Sequence, residues 1–258
     1  MNDAIGIELV TRPLLFVALA AVAFLPLEHV AAAHPRRRRR FAADLAFATV
    51  GQVLARAGMV LVVGAVLARL DGAALDRPLF ASIADRRARF VAETLAGLLL
   101  FELAGYAYHR LAHAVPALWR LHEIHHSSET MDWLASFRQH PLEILLLTLA
   151  QNAPLVLLGV PLGAHATVLV ALKLATVFVH SNVRLPIGPL RFLVPTPQFH
   201  HRHHQRGGAV ANFASFLPLI DVVFGSYSGA TSHAFGVERK LPDGFLGLLL
   251  EPLRRGDR

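Results

Sequence analysis

Residues 142–179 read LEILLLTLAQNAPLVLLGVPLGAHATVLVALKLATVFV, an almost unbroken apolar stretch. A helix that crosses a membrane needs about 20 mainly apolar residues, so this stretch is long enough for two. Its middle holds Pro154, Gly159, Pro161 and Gly163, residue types that end helices and form turns. The stretch therefore predicts a hairpin of two membrane helices joined by a tight turn.

Three further apolar stretches precede this hairpin, at residues 14–33, 45–70 and 90–108. Of the 258 residues, 54% are hydrophobic and 17% charged, with a mean hydropathy of +0.47. An ordinary soluble domain is about 45–50% apolar and about 25% charged. This surplus excludes a disordered chain, and the absence of cysteine excludes a disulfide scaffold. We therefore expect an all-α protein, a multi-pass membrane helical bundle of about five spans.

Charge predicts how this bundle is oriented. Five arginines, residues 36–40, directly follow the first apolar stretch, and positive loops favour the cytoplasmic side. This orientation also places residues 109–141 and 180–258 in the cytoplasm. Arg86, Arg87 and Arg89 conflict with it, because it puts these positive charges on the non-cytoplasmic side. The basic run lacks interleaved aromatic residues, so we expect anionic lipid and not nucleic acid as its partner. A composition rich in Ala and Arg favours a bacterial inner membrane.

We expect three regions along the chain. They are N-terminal transmembrane helices with a basic loop at 1–89, a domain at 90–240 whose family resemblance is given below, and a short tail at 241–258.

Histidine is the second unusual feature, because 12 of the 15 histidines lie between residues 109 and 204. Most fall in clusters whose members are three or four residues apart and so share one face of a helix. The clusters are His109 and His113; His122, His125 and His126; and His200, His203 and His204, with His180 at the end of the hairpin. So many rings packed together would repel if protonated, whereas neutral rings can bind a cation. Eight or nine ligands are more than one metal ion can bind, so the sequence predicts two metal ions. Imidazole ligands suit several metals, so they do not identify which metal is bound.

Other segments near the clusters complete a recognisable pattern. They are Tyr106-Ala-Tyr-His109, Trp119-Arg-Leu-His122, Arg138-Gln-His140-Pro141, His180-Ser-Asn182, Gly188-Pro-Leu190, Thr196-Pro-Gln-Phe-His200, Asn212-Phe213 and Asp221-Val-Val-Phe224-Gly225-Ser-Tyr227. Over roughly residues 95–230 the chain resembles the fatty acid hydroxylase/sterol desaturase superfamily of integral-membrane di-iron enzymes.

This resemblance implies a cytoplasmic helical cap that carries two iron ions, with zinc as a substitute in a purified or inactive form. It implies an O₂-dependent lipid oxidoreductase that hydroxylates or desaturates a C–H bond of a sterol, a fatty-acyl chain or a related lipid. The implied ligands are His109, His113, His122, His125, His126, His200, His203 and His204. His180 stands where the family commonly has an additional histidine, and His201 occupies a variable position that is not a ligand.

Several polar residues near the clusters are further candidates. Glu102 stands where the family usually has Asp and faces the same side as His109, so it could accept the free N–H of a ligand ring. We consider Glu123 and Asp221 for the same role or as helix caps. Arg138 and His140 precede the hairpin, where they could meet a lipid head group or support the metal site. Alternatively, Arg138 could extend to the membrane interface, with a helix starting at Pro141. We interpret the isolated residues His29, His34, His165 and His233 as structural.

Two classes of function stay open. The chain has no haem, flavin or iron–sulfur motif, so an oxygenase would need a separate electron-donor redox protein. The alternative is a non-redox membrane metalloprotein, either a metal-binding protein or a zinc-dependent hydrolase with Glu123 as its base. The spacing of His122-Glu-Ile-His125 differs from the His-Glu-x-x-His motif of zinc hydrolases, which disfavours this alternative.

Overall fold

A computed structural model describes residues 2–35, 40–67, 80–160, 166–232 and 234–254. The arginines at 36–39, the end of the second apolar stretch beyond residue 67, His165 and His233 lie outside these residues. All regular structure within them is helical, accompanied by two isolated β-bridges. The all-α prediction is confirmed for the described part of the chain.

The described α-helices run from the first apolar stretch to the C-terminal tail. They are α1 (Asn2–Val30), α2 (Phe41–Ala46), α3 (Gln52–Leu67), α4 (Arg86–Ala114), α5 (Pro116–His126), α6 (Pro141–Leu157), α7 (Ala166–His180), α8 (Pro197–His203), α9 (Leu219–Val223) and α10 (Phe245–Leu250). A π-helical turn, Phe47–Gly51, joins α2 to α3, so these elements form one continuous helical stretch.

Within the part of the chain that the structure describes, three helical segments are long and apolar enough to cross a membrane: Gly6–Val30, Phe41–Val62 and Arg86–Ala114. They match the first three predicted spans and extend beyond them at the start. The predicted hairpin forms α6 and α7, which have 17 and 15 residues. Among the described residues these two are shorter than the roughly 20 that a full span needs. Large apolar side chains are exposed along the long helices, such as Val22 (74%) and Leu61 (73%), as expected for a surface that faces lipid.

The turn after α6 follows the predicted chemistry. Gly159 adopts a left-handed φ of 65°, and the Val160 N–H donates to the Leu155 carbonyl at 2.9 Å. This is the glycine-based motif that caps the C-terminus of a helix, and it satisfies a carbonyl that the helix leaves free.

Proline fixes the corner between α4 and α5. The residue before a proline disfavours helical dihedral angles, and Val115 is accordingly extended, while Pro116 takes the first helical position of α5. The corner brings His113, near the end of α4, beside the His122 cluster of α5. In the same way α8 begins at Pro197, and the Thr196 side chain accepts the Phe199 N–H at 3.2 Å.

A buried carboxylate on α1 joins the segments on either side of the histidine clusters. Glu28 accepts the backbone N–H of Trp133 at 2.6 Å and that of Asn182 at 2.9 Å. These donors follow α5 and α7 respectively. The first apolar stretch is not part of the region that resembles the family, residues 95–230. Through Glu28 it nevertheless helps to position that region.

Candidate metal centre

The structure brings the clustered histidines into two adjoining groups. One contains His109, His113, His122, His126 and His203, and the other contains His125, His180, His200 and His204. Within each group one nitrogen of each ring lies within 4.8 Å of the others. Neighbouring residues on α5, His125 and His126, enter different groups. His203 and His204 at the end of α8 do the same, so the groups lie side by side.

The distances between rings match those around a metal ion. In the first group Nε2 of His122 lies 3.1 Å from that of His113 and 3.0 Å from that of His126. In the second, Nε2 of His180 lies 3.1 Å from that of His125 and 3.0 Å from that of His200. With metal–nitrogen bonds of about 2.1 Å, ligands at right angles lie about 3.0 Å apart and tetrahedral ligands about 3.4 Å apart. The spacing therefore fits ligands at close to right angles around a shared ion.

Hydrogen bonds on the outer side of the rings fix which nitrogen carries the proton. Nδ1 of each of five rings faces an oxygen: His109 the Phe213 carbonyl, His125 the Arg138 carbonyl, His180 the Thr176 carbonyl, His203 the Ala211 carbonyl and His122 the Glu143 carboxylate. In a neutral ring whose Nδ1 carries the proton and donates it, Nε2 has a free lone pair. These lone pairs converge within each group and would repel without a cation, so the donor set fits two imidazole-bound metal ions.

Burial keeps the rings in the form that binds metal. Desolvation lowers the pKa of His122 to about 3. Desolvation, assisted by neighbouring imidazoles, also holds the pKa of His126 and His203 well below the usual 6.5. These rings are therefore neutral at pH 7.

Glu143 is the carboxylate that contacts a ring of the clusters, and the sequence analysis did not select it. Its Oε1 accepts from Nδ1 of His122, and both side chains are almost fully buried. The signal available in the sequence was an acidic residue at the start of an otherwise apolar membrane stretch, where ionisable residues are costly and tend to be functional.

Glu102 and Asp221 act on the backbone rather than on a ring, which corrects the predicted role of each. Oε1 of Glu102 accepts the N–H groups of Ser215, Phe216 and Leu217 at 2.7–3.1 Å. Asp221 accepts those of Phe213 and Ala214, each at 2.8 Å. Together they hold the segment whose Phe213 carbonyl receives His109.

Asn212, the first residue of the Asn-Phe pair, fixes the start of this segment by its backbone angle and its hydrogen bonds. It has a left-handed φ of 60°, which asparagine tolerates better than most residues. Its amide donates to the carbonyls of Phe199 and Ser228, and its Oδ1 accepts the Ser228 N–H at 2.7 Å. These bonds lock the segment to α8.

Glu123 is engaged elsewhere, because its carboxylate receives Nε and Nη2 of Arg239. It belongs to neither histidine group. One turn of α5 thus presents the histidines on one face and this carboxylate on another.

Arg138 and His140 are internal groups, so of the alternatives considered the structure disagrees with contact to a lipid head group or the membrane interface. Arg138 is 1% exposed, pairs with Asp44 and donates to Ser127 Oγ at 3.1 Å. His140 caps α6 by accepting the Leu142 N–H, and its Nε2 lies 3.0 Å from the Leu249 carbonyl. Both residues anchor the start of α6 and hence the position of Glu143.

His201 lies outside both groups. Its Nε2 is 3.3 Å from the His180 carbonyl and its Nδ1 is 3.2 Å from Nε2 of His34. His34 therefore has a defined structural partner, while His29 is exposed on α1.

A cavity of about 520 Å³ extends from the histidines between α4, α6 and α7. His109, His122, His125, His180 and His200 form one end of it. Apolar side chains such as Phe101, Leu147 and Val170 line the part between the apolar helices. Its size suits part of a lipid chain, because ligand pockets commonly measure about 300–1,000 Å³.

Comparison with known proteins adds a family match. The family described as fatty acid hydroxylase matches residues 94–226. Ornithine lipid hydroxylase OlsE of Rhizobium tropici is 30% identical over 171 residues, which cover 64% of this chain and 52% of that protein. Alkylglycerol monooxygenase of Homo sapiens is 33% identical over 124 residues, 47% of this chain and 27% of that protein. The chain thus spans about half of the first relative and about a quarter of the second, and no solved structure matches it.

Proposed function

The chain belongs to the fatty acid hydroxylase family, and on that premise we propose that it is a membrane-bound lipid monooxygenase. In this proposal two iron ions and O₂ hydroxylate a C–H bond of a lipid. We favour hydroxylation over desaturation because the two relatives carry the names of a hydroxylase and a monooxygenase. A sterol, a fatty-acyl chain and an ether lipid are all candidate substrates.

One observation carries the proposal: a largely apolar cavity ends on both groups of histidines. A lipid chain that enters between α6 and α7 would reach the Nε2 face of His125 and His180 without leaving apolar surroundings. A zinc hydrolase would need a free carboxylate base at this end of the cavity. The carboxylate found there is Glu143, which is bonded to His122, whereas Glu123 is bonded to Arg239.

The chain's own residues would hold and orient the reacting partners. We assign His109, His113, His122, His126 and His203 to one iron and His125, His180, His200 and His204 to the other. Bound iron would supply the activation of O₂, which the polypeptide cannot perform. The carbonyls of Phe213 and Arg138 keep the protons on Nδ1 of His109 and His125, which leaves Nε2 free for the metal.

The overall stoichiometry requires a reductant. Insertion of one oxygen atom into R–H, with reduction of the other to water, consumes O₂, two electrons and two protons. The sequence contains no motif for a built-in electron carrier, so we propose a separate redox protein as the donor.

We also propose that the metal centre faces the cytoplasm of a bacterial inner membrane, supported by the arginine run at 36–40. The division into 1–89, 90–240 and 241–258 is part of the proposal. The tail would be a packed extension of the second region, because Leu248 shares a buried cluster with Ile124.

Oxygen incorporation tests the proposed function. The full chain, expressed in membranes and supplied with ¹⁸O₂ and a reducing system, should transfer ¹⁸O into a membrane lipid detected by mass spectrometry. His125→Ala should abolish this transfer while the protein stays in the membrane, and His29→Ala, at an exposed histidine, should leave it unchanged. A lipid product without ¹⁸O, or an active His125→Ala variant, would refute the proposal.

A further inference from the structure

Two cationic side chains line the same cavity as the histidines. Arg56 comes from α3 and Lys173 from α7, and the cavity also contacts His125 and His180. Arg56 is half-buried and Lys173 is exposed. Both stand inside strongly apolar helices, where ionisable residues are rare and generally face a functional cavity.

Helix geometry places both cations well away from the metal centre. Lys173 precedes His180 by seven residues, which is two helical turns or roughly 10 Å along α7, on the same face. Arg56 follows Ala48 by eight residues, roughly 12 Å along its helical stretch. Ala48 packs with Trp133 next to the histidine-bearing region. The cations therefore lie away from the histidines, on two different helices that line the cavity.

Neither cation forms an ion pair or a hydrogen bond with any side chain in the described part of the chain. The carboxylate that lines the cavity, Glu143, is committed to His122. A charge at membrane depth is costly unless it is paired. Lysines close to helix ends can extend to the membrane surface, but Lys173 is in the middle of the described α7 and lines the cavity. The two cations thus lack the partner that their position demands.

Uncharged polar groups accompany them. Thr148, Gln151 and Asn152 on α6 line the same cavity. The Thr148 hydroxyl and the Asn152 amide each donate to a carbonyl one turn back, which leaves their oxygen atoms and the second amide hydrogen to meet a ligand. An amide N–H and two cations form a donor-rich set suited to an oxyanion.

We propose that this cavity binds a lipid that carries an anionic group, a carboxylate or a phosphate, and that Arg56 and Lys173 bind that group. This inference rests on the proposed function, since it treats the cavity as the substrate site. The anionic group would lie roughly 10 Å from His180 along α7. The distance from the anionic group would therefore determine which carbon of the attached chain reaches the metal centre. Neutral lipids of the same chain length would be poor ligands.

Binding measurements test this inference independently of activity. The full chain in nanodiscs of zwitterionic phosphatidylcholine is titrated with palmitate, with palmitoyl lysophosphatidic acid and with neutral hexadecanol. Lys173→Met and Arg56→Gln remove the charge, Lys173→Arg keeps it, and Lys240→Met removes an exposed cation that does not line the cavity. Metal content and melting temperature show that each variant is folded.

We expect one of the two anions to bind at least about tenfold more tightly than hexadecanol, as a charge-assisted hydrogen bond allows. Lys173→Met and Arg56→Gln should remove most of this preference, while Lys173→Arg and Lys240→Met should retain it. The preferred anion then distinguishes a carboxylate from a phosphate. Equal binding of anionic and neutral lipids, or variants that weaken both alike, would overturn the inference.

The two proposals can fail separately. Charge-dependent binding by a protein that incorporates no ¹⁸O would refute the monooxygenase and support the anion site. Incorporation of ¹⁸O into a neutral lipid, with binding that does not depend on Arg56 or Lys173, would refute the anion site and support the monooxygenase.

Discussion

Replacement of Glu143 by glutamine exchanges the carboxyl group that His122 faces for an amide, while the side chain keeps its size. The carboxylate accepts from Nδ1 of His122, and the two side chains are 2% and 4% exposed, so water cannot replace the bond. A buried donor that loses its hydrogen-bond partner costs about 1–3 kcal/mol, which corresponds to roughly a 5–160-fold change in an equilibrium constant. The usual effect of losing such a partner of a metal-binding histidine is about 10–100-fold. We expect Glu143→Gln to weaken metal binding by about 10–100-fold.

The assay is metal retention. Purified protein is equilibrated with a graded series of chelator concentrations, and bound metal per chain is counted by mass spectrometry. Glu123→Gln is the matched control, because Glu123 lies beside His122 in sequence but binds Arg239. The control should retain wild-type metal affinity even if its melting temperature falls.

The result that would refute this reasoning is equally definite. Wild-type metal affinity in Glu143→Gln would show that the buried carboxylate does not tune the histidines. An equal loss in both variants would show that any removed charge near α5 has this effect.

Two further predictions concern stability. Arg138→Met removes the guanidinium that pairs with the buried Asp44, so we expect a loss of about 3–5 kcal/mol, seen as a lower melting temperature; an unchanged melting temperature would contradict the internal role of Arg138. The lowered pKa values of His122, His126 and His203 mean that the unfolded chain binds more protons than the folded chain between about pH 3 and 6.5. The melting temperature of metal-free protein should therefore fall as the pH is lowered from 7.5 to 5.5, whereas a constant or rising value would show that the rings are not buried in neutral form.

Periodicity predicted the parts of the site that depend on single helices. Spacings of three and four residues predicted that His122, His125 and His126 share one face of α5, and in the structure all three enter the histidine groups. The apolar stretches located the long helices. Periodicity could not show that His125 and His126 enter different groups, because this depends on how α5 packs against α7 and α8.

The roles of the carboxylates were harder to predict for the same reason. Glu102 is on the helix that carries His109, but its partner is the backbone of residues 215–217, which a sequence pattern cannot place. Glu143 lies within an apolar stretch, and its contact with His122 arises only when α6 folds back beside α5. Contacts between segments distant in sequence therefore determine which carboxyl group hydrogen-bonds to a histidine ring.

Metal counting combined with X-ray absorption spectroscopy of the iron-loaded protein tests whether the histidine groups hold two iron ions. We expect two iron ions per chain, each surrounded mainly by imidazole nitrogen, with one ion lost selectively in His200→Ala. A single ion per chain in protein that is active, or ligands other than imidazole as the main donors, would contradict it.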